Sequence, residues 1–206
     1  MISAIVLAAG LSTRMGGENK LLLPFRGGTL LSATVATVTR SRVRETIVVV
    51  GHEQERVRQA LTGLPVRFVS NPAYRDGMLT SIQAGVRALA PTARGMMICL
   101  SDLPSLKPDD LNRLVAAFVA ASEGLPGAPG NGAIVVPTYG GRRGNPVLFD
   151  IRYRPEVLAL RGLDGGAKAV VQAHPGAVVE VPLVGDHVLQ DIDTPEDYRR
   201  LLESRT

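Results

Sequence analysis

The chain of 206 residues is 45% hydrophobic and 20% charged, the profile of one globular domain that is large enough to bury its own core. Its formal net charge is +4 at pH 7, but Lys and Arg are scattered and only 4% of residues are aromatic, which argues against a nucleic-acid partner and equally suits attraction of small polyphosphates. The sequence shows no signal-peptide pattern and no apolar stretch of ~20 residues that could span a membrane, so no membrane partner is expected. Cys99 has no second cysteine with which to form a disulfide, and a cytoplasmic location is expected.

Short apolar, β-branched runs alternate with amphipathic helical patterns through the first two thirds of the chain. Buried strands are predicted over residues 2–7, 46–50, 66–70, 96–100 and 133–137. Helices are predicted between them, over residues 29–40, 53–61, 79–89 and 108–122. This alternation predicts a single-domain α/β fold with a mostly parallel, doubly wound sheet.

The remaining third of the chain begins with a stretch rich in Gly and Pro at residues 124–132, which predicts a flexible surface loop. Two further strands and one helix are predicted over residues 147–150, 178–182 and 165–173. Thr194 is suited to cap a last helix, with Pro195 at its first position and the acidic Glu196 and Asp197 in its first turn.

The loop after the first strand is the first candidate for ligand binding, because ligands of such sheets bind beyond the carboxyl ends of the strands. Residues 8–17 read A-A-G-L-S-T-R-M-G-G, so the backbone can approach a ligand closely and its N–H groups can converge on phosphate oxygens. The predicted nucleotide-contacting residues here are Leu7, Ala8, Ala9, Gly10 and Ser12.

Two basic residues in and after this loop are candidate catalytic groups. Arg14 supplies a planar guanidinium and Lys20 a point charge, and both suit a triphosphate. A Walker A loop is excluded because Met15 stands where its second glycine is required, and a dinucleotide fingerprint because Ser12 replaces its second glycine. The residues alone leave open an ordinary Gly-rich turn with exposed charges.

Acidic residues at two later positions are candidate metal ligands. Asp102 follows the predicted strand 96–100, where a carboxylate can bind Mg²⁺ or merely form a turn before the next helix. Alternation around Ile192 points Asp191 and Asp193 to the same side of an extended segment, where two carboxylates repel each other unless a cation lies between them. The alternative is that their charge only complements the dipole of the last helix.

Together these motifs resemble the signature of the molybdenum cofactor nucleotidyltransferase family. The resemblance rests on L-A-A-G-x-S-x-R-M-G, the following Lys20 and the sequence L-L-P, and the A-A-G form is closer to the cytidylyltransferase branch. It extends over nearly the whole chain, because later segments match in order at residues 77–85, 101–104, 141–149 and 191–198.

The resemblance implies a Mg²⁺-dependent enzyme that transfers CMP from CTP to the phosphate of molybdenum-pterin cofactor and releases pyrophosphate. It implies catalytic roles for Arg14, Lys20 and Asp102, and a metal held by Asp102 and Asp193 with Asp191 nearby. Residues 1–110 would form the nucleotide-binding half of the domain, and residues 111–206 the half that binds the acceptor and completes the metal site.

Four further residues are weaker candidates for nucleotide contacts. The resemblance places Gly77 and Ser81 against the nucleotide, although Ser81 can instead serve the first turn of its helix. His52 and Asn71 follow the second and third predicted strands, where a loop histidine and an Asn-Pro turn are the alternatives.

The second substrate is left open by one departure from the family pattern, since Asn145 stands where the family more often has histidine. One alternative is a nucleotidyltransferase that uses GTP, or that uses a sugar or cofactor-precursor phosphate as acceptor. Another is a non-catalytic carrier that delivers molybdenum cofactor to a molybdenum hydroxylase.

Overall fold

The computed structural model describes residues 1–15, 18–123, 132–162 and 166–203, apart from the Arg14 side chain. The loop predicted over residues 124–132 therefore lies, except for Gly132, outside the described residues, as does residue 165 at the start of a predicted helix.

Ten strands are present in the described residues: β1 (Ile2–Ala8), β2 (Pro24–Phe25), β3 (Gly28–Thr29), β4 (Glu45–Val50), β5 (Arg67–Ser70), β6 (Gly95–Leu100), β7 (Ile134–Tyr139), β8 (Arg142–Arg143), β9 (Val147–Asp150) and β10 (Val178–Pro182). The same residues contain seven α-helices: α1 (Leu30–Thr39), α2 (Gln54–Ala60), α3 (Met78–Arg87), α4 (Pro108–Ser122), α5 (Arg154–Ala159), α6 (Lys168–Ala173) and α7 (Pro195–Glu203). Every predicted strand and helix is found, with its ends shifted by a few residues at most, whereas α5 and the two-residue strands were not predicted.

The main sheet has the strand order β10-β7-β9-β6-β1-β4-β5, with β8 paired to β7 at one end. β1 runs parallel to both of its neighbours, β4 and β6, and β10 runs parallel to β7. β9 is antiparallel to β6 and to β7. The predicted single-domain, mostly parallel α/β sheet is therefore confirmed, with β9 as an antiparallel insertion that the apolar pattern could not reveal.

The sheet is covered on both faces, as its continuous apolar strands require. All seven residues of β1 are buried, and alternate ones point to opposite faces. Ala4 and Val6 join a core built with α1, α2 and α4, whereas Ile5 and Leu7 join a second core built with α3, α5 and α6. Among the helices of the described ranges, none has the length and hydropathy that crossing a membrane requires.

A third, smaller core brings the end of the chain back to its beginning. Phe25, Leu30, Ile192 and Leu201 are buried together between the β2–β3 hairpin, α1 and α7. The Tyr198 hydroxyl strengthens this contact by donating a hydrogen bond to the Pro24 carbonyl oxygen over 2.7 Å. This packing places the acidic segment before α7 beside the loop that follows β1.

Candidate active site

A cleft of about 500 Å³ opens at the carboxyl edge of the sheet, beyond the ends of β1 and β6. Ten of the residues predicted to bind nucleotide or metal line it: Leu7, Ala9, Gly10, Ser12, Lys20, Gly77, Ser81, Asp102, Asp191 and Asp193. Three of the predicted residues, Ala8, His52 and Asn71, do not belong to the described lining.

The two loops that form the centre of the cleft start side by side because β1 and β6 pair in parallel register. Leu7 lies opposite Leu100, so the chain leaves both strands at the same level. The Ser101 hydroxyl donates a hydrogen bond to the Leu7 carbonyl oxygen over 2.6 Å and is itself buried. This contact holds the Asp102 loop against the loop that follows β1.

The backbone around Lys20 is held by local hydrogen bonds. Ser12 adopts a left-handed conformation with a φ of 51°, and its hydroxyl accepts a hydrogen bond from the Lys20 backbone N–H over 3.2 Å. Asn19 caps the short 3₁₀ turn Lys20–Leu22 by accepting a hydrogen bond from the Leu21 N–H. The loop thus presents the Lys20 side chain from a fixed point at the edge of the cleft.

Lys20 joins the two acidic segments of the site. Its Nζ lies 2.6 Å from Oδ2 of Asp102 and 2.7 Å from Oδ1 of Asp193. The side chains of Lys20 and Asp102 are mostly buried, so solvent screens this ion pair less than it would a surface pair. The structure therefore brings three of the predicted catalytic and metal-binding residues into direct contact.

For both Lys20 and Asp102, burial and the oppositely charged neighbours shift the pKa in opposite directions. Burial alone would lower the pKa of Lys20, but the carboxylates of Asp102 and Asp193 outweigh it, so the pKa of Lys20 lies above its ordinary value. Lys20 therefore remains an ammonium ion at neutral pH. Burial raises the pKa of the Asp102 carboxyl, and the neighbouring ammonium opposes that rise.

The donor set suits a hard divalent cation. Oδ1 of Asp102 is buried and has no hydrogen-bond partner within the described part of the chain. Oxygen atoms of Asp191 and Asp193 line the same cleft, and carboxylate oxygens are the ligands that Mg²⁺ prefers. The carboxylates of this cleft therefore suit a divalent cation by their chemistry, although the described residues contain no group of three acids, histidines or cysteines already arranged around one point.

The acidic segment before α7 is held in place on both sides. Ile192 is 3% exposed in the third core, and its backbone N–H donates a hydrogen bond to the Asp102 carbonyl oxygen over 3.1 Å. Oδ2 of Asp197 accepts hydrogen bonds from the backbone N–H groups of Asp193 and Thr194 and from the Thr194 hydroxyl. With Ile192 turned into the core, Asp191 and Asp193 both face the cleft.

Asn71 supports the cleft wall from behind. It is 4% exposed, and its Nδ2 donates hydrogen bonds to the hydroxyls of Thr80 and Ser81 over 2.9 and 3.0 Å. Its Oδ1 accepts a hydrogen bond from the Ala73 N–H. Asn71 therefore holds the segment that leads into α3, where Gly77 and Ser81 line the cleft.

Three predicted residues remain: Ala8 at the end of β1, Arg14 in the loop that follows it and His52 after β4. Ala8 is 1% exposed within the core. His52 donates its backbone N–H to the Ala9 carbonyl oxygen, and its ring lies 6.2 Å from the Tyr74 ring, outside the cleft. Arg14 lies in the turn Thr13–Met15, and the predicted phosphate contact of its side chain falls outside the described residues.

Sequence reasoning missed Tyr74 and Arg75, which line the cleft beside the predicted segment that contains Gly77 and Ser81. The Arg75 guanidinium lies 5.3 Å from the centroid of the Tyr74 ring, a cation–π arrangement at an exposed position. The available signal was position, because these residues follow β5 at the same edge of the sheet as the other ligand loops.

Residues 141–149, which match the family and belong to the half expected to bind the acceptor, do not line the described part of the cleft. Asn145 donates its backbone N–H to the Val188 carbonyl oxygen over 2.9 Å, and Gly144 donates to Pro137 over 2.9 Å. Neither residue is part of the described cleft lining. The loop instead packs against the segment that leads towards Asp191.

Known proteins resemble this chain along nearly its full length. It is 30% identical to "Nicotine blue oxidoreductase" of Paenarthrobacter nicotinovorans, over 98% of this chain and 96% of that protein. It is 28% identical to "Molybdenum cofactor cytidylyltransferase" of Escherichia coli, over 96% of this chain and 93% of that protein. These relatives bear the names of different activities, so overall similarity does not identify the substrate.

A solved structure shares the fold. Rv0371c of Mycobacterium tuberculosis, crystallised as a complex with manganese, matches with a TM-score of 0.77 and 31% identity, over 98% of each chain.

A family model, the MobA-like NTP transferase domain, matches residues 4–178, which include most of the cleft. The match ends before the acidic segment that contains Asp193, which the third core brings to the same site. The chain is therefore a nucleotidyltransferase of the MobA-like NTP transferase family.

Proposed function

We propose that the protein transfers CMP from CTP to the phosphate of molybdenum-pterin cofactor, with Mg²⁺ as the metal and pyrophosphate as the released product. The observation that carries this proposal is the contact of Lys20 Nζ with both Asp102 and Asp193. It joins a cation and two carboxylates in a cleft beside a loop of small residues, which are the groups that nucleotidyl transfer requires.

The loop after β1 is suited to hold the triphosphate. Gly10 has no atom within 4 Å of the position that a Cβ would take, so a ligand can approach its backbone closely. Ser12 and Thr13 line the same side of the cleft and offer hydroxyl donors. The Lys20 ammonium neutralises negative charge on the phosphates, and Arg14 is proposed to act with it.

Asp102 and Asp193 are the proposed metal ligands, and Asp191, which lines the same cleft, is a third candidate. The unpartnered Oδ1 of Asp102 supports this assignment, and the manganese complex of the related Rv0371c supports the use of a divalent metal. When bound, Mg²⁺ would neutralise the charge of the triphosphate and of the departing pyrophosphate.

The reaction needs positioning more than proton transfer. An oxygen of the acceptor phosphate forms a bond to the α-phosphorus of CTP, while the bond from that phosphorus to the bridging oxygen breaks and pyrophosphate leaves. A phosphate monoester is already anionic at neutral pH, so no strong general base is required. Lys20 and Asp102 contribute by holding charges in fixed places.

We assign different roles to the two halves of the domain. Residues 1–110 bind the nucleotide, and residues 111–206 bind the acceptor and complete the metal site. The contact of Lys20 with Asp193 supports the part of the second half in the metal site, because Asp193 belongs to residues 111–206 and lies in the cleft.

The choice of CTP rests on the A-A-G sequence of the first loop and on similarity to a molybdenum cofactor cytidylyltransferase. One alternative is an enzyme of the same reaction type that uses GTP, or that uses a sugar or cofactor-precursor phosphate as acceptor. Another alternative is a non-catalytic protein that delivers molybdenum cofactor to a molybdenum hydroxylase. The contact of Lys20 with two carboxylates favours an enzymatic function, because a protein that only carries the cofactor would not require this arrangement of charges.

A pyrophosphate-release assay tests the proposal. The protein is incubated with Mg²⁺, isolated molybdenum-pterin cofactor and each of the four nucleoside triphosphates in turn. We expect pyrophosphate with CTP and only when the acceptor is present. Preference for GTP would overturn the choice of base, and absence of pyrophosphate with every nucleotide and acceptor would favour the carrier.

A further inference from the structure

We propose that the Lys20 ammonium occupies the place of the divalent cation between Asp102 and Asp193, and that it must leave both carboxylates before the metal can bind. This inference rests on the proposed function for the identity of the metal site. Its consequence is that triphosphate and metal bind together, because the phosphates give Lys20 a new anionic partner.

The geometry makes the competition direct. Lys20 Nζ lies 2.6 Å from Oδ2 of Asp102 and 2.7 Å from Oδ1 of Asp193. Oδ1 of Asp102 has no hydrogen-bond partner among the described residues, but a metal ion that bridges the two side chains would also need Asp193, whose Oδ1 already contacts the ammonium. Electrostatic repulsion between the two cations would add to this exclusion.

The surroundings make the ammonium a good substitute for a metal ion. The Asp102 side chain is 13% exposed and that of Lys20 is 15% exposed, so an unneutralised carboxylate here would lose much of its hydration. Lys20 therefore stabilises the ligand-free site by neutralising the two acids. The same contact lowers the affinity of the site for a metal ion that arrives without a nucleotide.

The local backbone allows the exchange to occur by side-chain rotation alone. The Lys20 backbone is fixed by its N–H bond to the Ser12 hydroxyl and by the Asn19 cap of the following turn. The lysine side chain has a flexible stem of four carbons and carries three donors at its end. Its ammonium group can therefore turn from the carboxylates to the phosphate oxygens of a nucleotide bound in the same cleft, without movement of the loop.

Titration of the protein with Mn²⁺ alone, followed by electron paramagnetic resonance of the free ion, tests this competition. Without nucleotide, we expect Lys20→Gln to bind Mn²⁺ about tenfold or more tightly than the wild type, which is the effect of removing one close charge contact. Lys168→Gln removes the same charge from an exposed residue of α6 that does not line the cleft, and it should bind like the wild type.

Three further variants test where the effect arises and whether it depends on charge. Lys20→Gln combined with Asp193→Asn should lose the gain in affinity, because the gained ion would sit on Asp193. Lys20→Arg keeps a cation and should retain weak binding. Lys20→Met provides a second uncharged side chain if the glutamine variant unfolds, as judged by circular dichroism.

Equal or weaker Mn²⁺ binding by folded Lys20→Gln or Lys20→Met would overturn the competition, as would a gain that survives Asp193→Asn. These outcomes are independent of catalysis. If no nucleotide yields pyrophosphate but the gain appears, the transferase proposal fails and the competition stands. If turnover occurs with CTP but no gain appears, only the competition fails.

Discussion

The backbone N–H of Ile192 donates a hydrogen bond to the carbonyl oxygen of Asp102 over 3.1 Å. This bond joins the segment before the last helix to the loop after β6, although the two are far apart in the sequence. It sets the Asp193 carboxylate beside the Asp102 carboxylate, so that one ammonium ion can contact both.

Asp102→Asn should abolish turnover without unfolding the protein. The substitution keeps the size of the side chain but removes the charge that faces Lys20 and the proposed metal ion. We expect kcat for pyrophosphate release to fall by about three orders of magnitude. Asp109→Asn, on an exposed residue of α4, is the matched control and should behave like the wild type. Wild-type rates in Asp102→Asn would remove this residue from the mechanism.

Ile192→Ala should reduce both stability and turnover. The residue is 3% exposed in the third core, and replacing a buried isoleucine by alanine lowers the free energy of unfolding by about 2–5 kcal/mol. Because Ile192 lies between the two acids, the loosened segment should also lower kcat. Thermal melts and the pyrophosphate assay measure the two effects. Val184→Ala, at a residue that is 85% exposed, should change neither.

Asp197→Asn should destabilise the protein at neutral pH and less so in acid. Hydrogen bonds from Thr194 lower the pKa of Asp197 below its ordinary value of 3.8. A lowered folded-state pKa stabilises the fold above the unfolded pKa, and that stability is lost as the pH falls through the folded-state value. At neutral pH we expect a loss of about 1 kcal/mol or less, because the side chain is partly exposed.

Thermal melts of the wild type and Asp197→Asn, compared at neutral pH and at pH values below 3.8, measure this effect. The difference between the two melting temperatures should shrink in acid. A difference that is constant with pH would show that the charge of Asp197 is not what stabilises the start of α7.

Asn71→Ala should act mainly on stability. Its side chain is buried and makes hydrogen bonds with Thr80, Ser81 and Ala73, and a buried polar group left without its partner costs about 1–3 kcal/mol. We expect a lower melting temperature together with a moderate rise in KM for the nucleotide, since Ser81 lines the cleft. A rise in KM with no change in melting temperature would instead support the direct base contact that the sequence suggested. Ser70→Ala, at the exposed neighbour, is the control.

Arg75→Ala should weaken nucleotide binding without destabilising the fold. The guanidinium is exposed on the cleft wall, and a hydrogen bond to a charged group contributes about 1.5–3 kcal/mol. We therefore expect KM for the nucleotide to rise about tenfold or more with an unchanged melting temperature. Arg113→Ala, on the outer face of α4, should leave KM unchanged. An unchanged KM in Arg75→Ala would show that this wall of the cleft does not contact the nucleotide.

The antiparallel strand β9 shows what the apolar pattern could and could not predict. Residues 147–150 are predicted as a strand because the first three of them are apolar, which is a local property. Their direction depends on pairing with β6 and β7, which lie elsewhere in the sequence. The short helix α5 was not predicted because Val157 is its one buried residue, so its sequence shows no repeated apolar period.

The sequence by itself determined the alternation of strands and helices and the small residues of the first loop. It also determined that the side chains of Asp191 and Asp193 point away from that of Ile192. Each of these depends on neighbours within a few residues, where side-chain period and backbone preference act. Only the tertiary structure decided that Lys20 contacts both Asp102 and Asp193, that Asn71 lies behind the cleft wall, and that Arg75 lies on it. Those placements depend on how distant segments pack, because the buried third core, rather than any local preference, carries the end of the chain back to the first loop.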